Sequence, residues 1–258
     1  MSYFDAIILG ILQGLTEFLP VSSSGHLVLG QALLKVKQPG VAFEVIVHLG
    51  TLVSVLVYFR DKIVRLIRSM FDSRMAAERT MLFYLIIGTV PAAVAGLLFK
   101  DFFEQLFSAP AVTSGFLLLT GLILLSTRFR KPGNQPMRLG SAIAMGIGQA
   151  IAILPGVSRS GTTISTGIWA GARPSDAAEF SFLLSIPAVG GAVILETHEL
   201  LHIDQSLMGP YLVGALFSFA FGILAVSSLL AVIRRGKFEY FAYYCFAVGL
   251  LGLYIFLT

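Results

Sequence analysis

Long apolar stretches alternate with short polar segments along most of this chain. Six of these stretches, seventeen to twenty-four residues long, carry very little charge. That is about the length that an α-helix needs to cross the roughly 30 Å hydrocarbon layer of a membrane. The predicted spans are Phe43–Phe59, Thr80–Phe99, Ala111–Thr127, Ala177–Leu195, Pro210–Ile233 and Phe238–Leu257.

Two further apolar regions, Tyr3–Leu34 and Leu139–Gly171, are interrupted near the middle by proline, glycine and serine. If every other span crosses once, the chain must leave each region on the face where it entered. Each region is therefore predicted to be a re-entrant helical hairpin. Non-helical backbone at membrane depth persists only where it is buried in protein or lines a wet cavity. The expected fold is an all-α polytopic membrane protein with six transmembrane helices and two such hairpins.

The composition agrees with the apolar pattern. Of the 258 residues, 56% are hydrophobic and 12% are charged, about half of the charged share in an ordinary soluble domain. The single cysteine, Cys245, lies in an apolar run and excludes an intramolecular disulfide.

The formal charge of +4 is explained by topology rather than by nucleic-acid binding. Fourteen of the eighteen basic residues fall on one predicted face, three fall on the other, and Arg159 lies between them. Lysine and arginine collect in cytoplasmic loops, so both termini are predicted to be outside. The fourteen are Arg60, Lys62, Arg65, Arg68, Arg74, Arg79, Arg128, Arg130, Lys131, Arg138, Arg173, Arg234, Arg235 and Lys237, and the opposing three are Lys35, Lys37 and Lys100.

The two interrupted regions match each other at a constant offset of 136 residues. Gly-Ile-x-Gln occurs at 10–13 and at 146–149, and Val-Ser-x-Ser-Gly occurs at 21–25 and at 157–161. The expected organisation is one membrane domain, 1–258, made of two repeats, 1–127 and 139–258, joined by a basic cytoplasmic loop, 128–138. Three spans follow each hairpin, so the repeats have inverted topology. Such repeats often place an anion site near the midplane.

The first chemistry-bearing motif runs from Gln13 to His26. Gln13 and Glu17 are four residues apart and share a helix face. Glu17 offers a hard oxygen ligand for Mg²⁺ or Ca²⁺, with Gln13 as a neutral second ligand. The segment Ser22-Ser23-Ser24-Gly25 can cradle an anion at the start of the next helix. His26 can attack phosphorus or act as a general acid or base.

The second motif is Pro155-Gly-Val-Ser-Arg-Ser-Gly-Thr-Thr163. Arg159 is the only basic residue inside an apolar region, and its planar fork suits bidentate phosphate binding. Four neighbours supply further donors for phosphate: Ser158, Ser160, Gly161 and Thr162. Both motifs together suit phosphoryl transfer, in which charge on the phosphate oxygens must be neutralised.

These two motifs, in this order and spacing, resemble the undecaprenyl-diphosphate phosphatase family, also called the bacitracin-resistance proteins. The resemblance covers essentially the whole chain. It implies a divalent-cation-dependent hydrolase of the bacterial plasma (inner) membrane that converts undecaprenyl diphosphate to the monophosphate and recycles the carrier for peptidoglycan synthesis. It also implies a site open to the periplasmic side, with Glu17 as a metal or acid/base residue, Ser23 and His26 as nucleophile candidates, and Arg159 on phosphate.

Several alternatives stay open from the sequence. Ser23, His26 or water could attack, and if Ser23 attacks, His26 is the expected base. Inverted repeats and broken helices are also typical of transporters, so a transporter or flippase for an anionic substrate is the competing function. Glu44 is interpreted as structural, and His48, one turn later, could join the site. The expected partners are the lipid diphosphate and the membrane, no nucleic acid is expected, and a homodimer is allowed.

Overall fold

The computed structural model describes residues 1–36, 42–107, 109–130, 133–196 and 204–258. Lys37 and Lys131, which belong to the predicted charge distribution, lie outside these ranges. Throughout the described residues the chain is α-helical apart from turns, two short 3-10 helices, Thr127–Phe129 and Phe238–Tyr240, and one isolated bridge between Gln135 and Ala172. This confirms the all-α prediction. The helices are α1 Tyr3–Phe18, α2 Ser23–Leu33, α3 Ala42–Tyr58, α4 Arg60–Arg68, α5 Ala76–Leu98, α6 Lys100–Phe107, α7 Pro110–Ser126, α8 Leu139–Ile151, α9 Arg159–Trp169, α10 Pro174–Leu195, α11 Gln205–Arg234 and α12 Phe241–Leu257.

Five described helical segments are long and apolar enough to cross a membrane. A sixth is obtained if α3 and α4, which meet at a bend of 74°, count as one broken span. Five of the six predicted stretches coincide with these five segments to within five residues, and the sixth, Phe43–Phe59, coincides with α3. The five segments are Ala76–Leu98, Pro110–Phe129, Pro174–Leu195, Gln205–Arg234 and Phe238–Leu257.

The two interrupted regions are helix–turn–helix units, as the proline, glycine and serine clusters predict. The first is α1 and α2 around residues 19–22, and the second is α8 and α9 around residues 152–158. The second helix of each unit has eleven residues, which is about 16 Å at 1.5 Å per residue and so about half of a membrane span. We call these units the first and second helical hairpins.

Each helical hairpin packs on a long helix from the other half of the chain. The first helix, α1, lies along α11, and α8 lies along α5. A Cβ added to Gly10 would meet the backbone oxygen of Gly214, and one added to Gly146 would meet that of Gly88. The absence of side chains at these crossings lets the backbones approach closely, as at other small-residue helix interfaces in membranes. This explains the glycine that opens each Gly-Ile-x-Gln segment.

A buried aromatic group fixes the end of α1 inside the molecule. Phe18 contacts Phe182 of α10 edge to face at 5.7 Å between ring centroids, and Phe182 in turn contacts Phe59 at 5.9 Å. Phe18 is 1% exposed, so the preceding residue, Glu17, is held deep in the bundle.

Candidate active site

The turns of the two helical hairpins lie against each other. A Cβ on Gly25 would be 3.3 Å from the Cα of Gly156, and one on Gly161 would be 3.3 Å from the Cβ of Pro20. The hydroxyl of Ser160 donates to the carbonyl of Leu19 at 3.1 Å. The two chemistry-bearing motifs, 136 residues apart in sequence, therefore form one site.

Glu17 is the centre of this site and is 7% exposed. Its Oε1 accepts from Arg159 Nη2 at 2.6 Å, which joins the two hairpins through an ion pair. Its Oε2 accepts from the Ser23 hydroxyl at 2.5 Å and from Gln13 Nε2 at 3.1 Å. His48 Nε2 lies 3.6 Å from the same Oε2. A buried carboxylate is costly unless it is paired and hydrogen-bonded, and both oxygens of Glu17 have donors.

The guanidinium of Arg159 uses two nitrogens on two acceptors. Nη2 donates to Glu17, and Nη1 donates to the carbonyl of Ser181 at 3.4 Å. The Arg159 side chain is 15% exposed, against 6% for that of Glu17. The arginine is therefore the more accessible member of the pair.

The two half-length helices begin with the same hydrogen-bond pattern. Each is capped by the first serine of a Ser-x-Ser-Gly segment, whose hydroxyl accepts from the backbone N–H of the glycine three residues later. The hydroxyls of the two serines in each segment also lie 3.3 Å apart. The predicted phosphate-binding residues thus have the same arrangement in both hairpins: Ser22, Ser24 and Gly25 in the first, and Ser158, Ser160 and Gly161 in the second.

Two backbone positions in the turns have positive φ. Gly156 has φ 94°, and a Cβ there would collide with the carbonyl oxygen of Thr113, so only glycine fits. Ser22 has φ 68°, which is uncommon for a residue with a side chain. Such strain clusters at functional sites, where the surrounding structure holds it in place.

His26 is 6% exposed, and both of its ring nitrogens are engaged. Nδ1 lies 2.8 Å from the carbonyl oxygen of Ser22, which can only accept, so Nδ1 carries a proton. Nε2 lies 2.8 Å from the hydroxyl of Tyr244 on α12. In the neutral ring Nε2 accepts from this hydroxyl. The partner of Ser23 is therefore Glu17 rather than the expected His26, because both histidine nitrogens are taken up elsewhere.

Thr162, predicted to bind phosphate, is buried, and its hydroxyl has no hydrogen-bond partner within the described part of the chain. Gln13 Oε1 is a second buried oxygen of this kind. Gln13 turns its amide nitrogen to Glu17 because a carboxylate accepts only, and this leaves Oε1 available to a cation.

No cluster of three or more acidic, histidine or cysteine side chains that could hold a metal occurs among the residues described. One carboxylate with one amide oxygen still fits Mg²⁺, which commonly binds through one or two carboxylates and the substrate's own phosphates.

Two residues in contact with the site lie outside the set of predicted site residues. Tyr244 is 218 positions from His26, in a tyrosine-rich run, and no local pattern relates them. His48 was only weakly indicated, by its place one helical turn after Glu44. Its Nδ1 donates to the Glu44 carbonyl at 2.7 Å, which aims Nε2 at Glu17.

Comparison with known proteins finds similarity over nearly the whole chain. Residues 6–251 match the family model described as Bacitracin resistance protein BacA. A protein of Syntrophotalea carbinolica is 44% identical over 96% of this chain and 97% of its own length. One from Korarchaeum cryptofilum is 42% identical over 97% and 98%, and one from Carboxydothermus hydrogenoformans is 42% identical over 96% and 95%. All three are named undecaprenyl-diphosphatase.

Proposed function

The chain belongs to the BacA family of bacitracin resistance proteins, and from that premise we propose that it is a multi-pass membrane phosphatase. It hydrolyses undecaprenyl diphosphate to undecaprenyl phosphate and inorganic phosphate, the activity for which its relatives are named. One observation carries the chemistry: a buried carboxylate, Glu17, lies between the hydroxyl of Ser23 and the guanidinium of Arg159.

This activity accounts for the family's connection with bacitracin and the cell wall. Dephosphorylation returns the lipid carrier to the form that peptidoglycan synthesis reuses, and it removes the diphosphate form. The expected location is the plasma (inner) membrane, with the site open to the periplasmic side and both termini outside, in keeping with the fourteen-to-three distribution of basic residues.

In the first step Ser23 Oγ attacks the terminal phosphorus. Its proton passes to Glu17 Oε2, the atom to which it already donates at 2.5 Å. The Oγ–P bond forms as the bond to the bridging oxygen breaks, and the electron pair leaves with the lipid monophosphate. Arg159 moves from Glu17 to the phosphate oxygens, where bidentate binding neutralises developing charge. The N-termini of α2 and α9 add backbone donors and a favourable dipole.

In the second step water hydrolyses the phosphoserine. His26 suits the role of base, because its protonated Nδ1 is fixed on the Ser22 carbonyl and its Nε2 can accept a proton. Water gives a proton to Nε2 and its oxygen to phosphorus, and Ser23 Oγ leaves with the proton stored on Glu17. Ser23 and His26 thus divide the labour between the two steps.

A divalent cation, Mg²⁺ or Ca²⁺, is proposed to bind with the diphosphate, and Glu17 and the Oε1 of Gln13 are the protein oxygens that would hold it. Such an ion would neutralise charge on the phosphate oxygens.

We further propose that the two halves, 1–127 and 139–258, are inverted-topology repeats with six spans and two re-entrant hairpins, joined by the basic loop 128–138. The matched caps of α2 and α9 and the exchanged packing of α1 on α11 and of α8 on α5 support this proposal. The homodimer stays a prediction.

Phosphate release from undecaprenyl diphosphate by the purified protein in detergent tests the function. We expect turnover that EDTA suppresses and added Mg²⁺ or Ca²⁺ restores, and turnover that is lost in Glu17→Gln. Glu239→Gln, at a half-buried glutamate outside the site, is the matched control and should keep full activity. Binding of the diphosphate without phosphate release would favour the transporter instead.

A further inference from the structure

Two neighbouring side chains of the last helix reach the first hairpin turn. Tyr244 contacts His26, and the thiol of buried Cys245 donates to the carbonyl of Pro20 at 3.6 Å. The last helix therefore meets this turn at two points on either side of the serine segment. Neither contact takes part in the two proposed steps of phosphoryl transfer.

The Tyr244 ring aligns with the imidazole of His26. The planes of the two rings are 7° apart, with centroids separated by 5.6 Å, and the hydroxyl lies 2.8 Å from Nε2. Nδ1 is already committed as a donor to the Ser22 carbonyl, so Nε2 must accept from the phenol when the ring is neutral. The contact fixes both the tautomer and the rotation of the ring.

The exposure of the two side chains differs strongly. His26 is 6% exposed, whereas Tyr244 is 46% exposed. The Tyr244 side chain therefore extends from its contact with the buried nitrogen to the surface of the bundle, and a group that approaches Nε2 from that side would meet the Tyr244 hydroxyl.

We propose that Tyr244 is a positioning residue for the water step, which rests on the function proposed above. Its hydroxyl holds the His26 ring with the Nε2 lone pair directed out of the hairpin, and the attacking water takes up the position next to that hydroxyl. The same contact covers Nε2 until water arrives and keeps it from attacking phosphorus.

Tyr244→Phe removes this hydroxyl and keeps the ring, with Tyr243→Phe as the matched control on the same helix. We expect Tyr244→Phe to lower kcat about tenfold, with KM and Tm close to wild type. Loss of the hydrogen bond that orients a functional histidine commonly lowers activity by about tenfold or more. Phosphoserine should accumulate at Ser23 during single turnover. Tyr243→Phe should behave as wild type.

A second measurement does not depend on activity. Diethylpyrocarbonate modifies an imidazole nitrogen that has a free lone pair, and residue-resolved mass spectrometry reports its attachment to His26. Modification should be faster in Tyr244→Phe than in wild type or Tyr243→Phe. Unchanged kcat in Tyr244→Phe overturns the proposal, as does a lower kcat with a lower Tm and unchanged modification of His26. Wild-type protein that releases no phosphate would instead overturn the proposed function.

Discussion

Arg159 has two roles: it pairs with Glu17 in the structure, and it is proposed to bind phosphate during the reaction. The guanidinium bonds a carboxylate and a backbone carbonyl at once, a geometry that a single ammonium cannot reproduce. It also joins the two motifs through its ion pair with Glu17. Charge recognition and assembly of the site therefore depend on the same fork.

We expect Arg159→Ala and Arg159→Lys each to lose about a hundredfold or more in kcat, the usual effect of removing preorganised charge stabilisation. Steady-state phosphate release measures this loss. Arg173→Lys is the control, because Arg173 forms an exposed pair with Asp176 outside the site. Near-normal turnover of Arg159→Lys would show that the fork is not required.

Among single residues, the sequence predicted best those whose polar side chains stand out within an apolar segment. Glu17, Ser23 and Arg159 could be singled out because charge and hydroxyls are rare in apolar segments, and the structure brings all three together. The hydrogen bond from Tyr244 to His26 could not be foreseen, because it depends on the packing of the last helix against the first hairpin. The pairing of Ser23 with Glu17 depends on the same tertiary detail.

At the scale of helices and turns, the close contact between the two motifs depends on glycine. Gly156 combines a positive φ with a close approach to the Thr113 carbonyl, whereas Gly171 has φ 84° with open space around its missing side chain. A comparison of alanine substitutions at these two positions therefore separates the cost of a positive φ from the cost of steric overlap.

Gly171→Ala should cost about 1–2 kcal/mol, the usual strain of a side chain in the left-handed region. Gly156→Ala should cost clearly more, because its methyl also displaces α7. Thermal unfolding in detergent compares the two variants. Equal Tm values would show that the contact with Thr113 relaxes without cost.

The positions of the long apolar helices and of both interruptions followed from the hydrophobic pattern and from the proline, glycine and serine clusters, whereas the short helices α4 and α6 were not predicted. The 74° bend between α3 and α4 could not be predicted in this way, since hydropathy carries no information on the direction of a helix axis. Nor did the pattern predict that α1 packs on α11, although the glycine at position 10 is the residue that makes this packing close.

For the whole molecule, the distribution of basic residues predicts orientation. In a Cys245→Ala background, a cysteine placed at Ser2 or at Thr258 should react with an impermeant thiol reagent on intact cells. A cysteine at Arg235 should be protected, because that basic segment is predicted to be cytoplasmic. Protection of both termini, with labelling at position 235, would reverse the orientation and the predicted facing of the site.

A quenched single-turnover experiment tests most directly whether the two hairpins together transfer a phosphoryl group through Ser23. Undecaprenyl diphosphate labelled in the terminal phosphate is mixed with excess wild-type, Ser23→Ala or His26→Ala protein and quenched within one turnover. We expect label on Ser23 that accumulates in His26→Ala, where hydrolysis is slow, and no labelled protein with Ser23→Ala. Label on His26 in wild type, or full turnover by Ser23→Ala, would contradict the account.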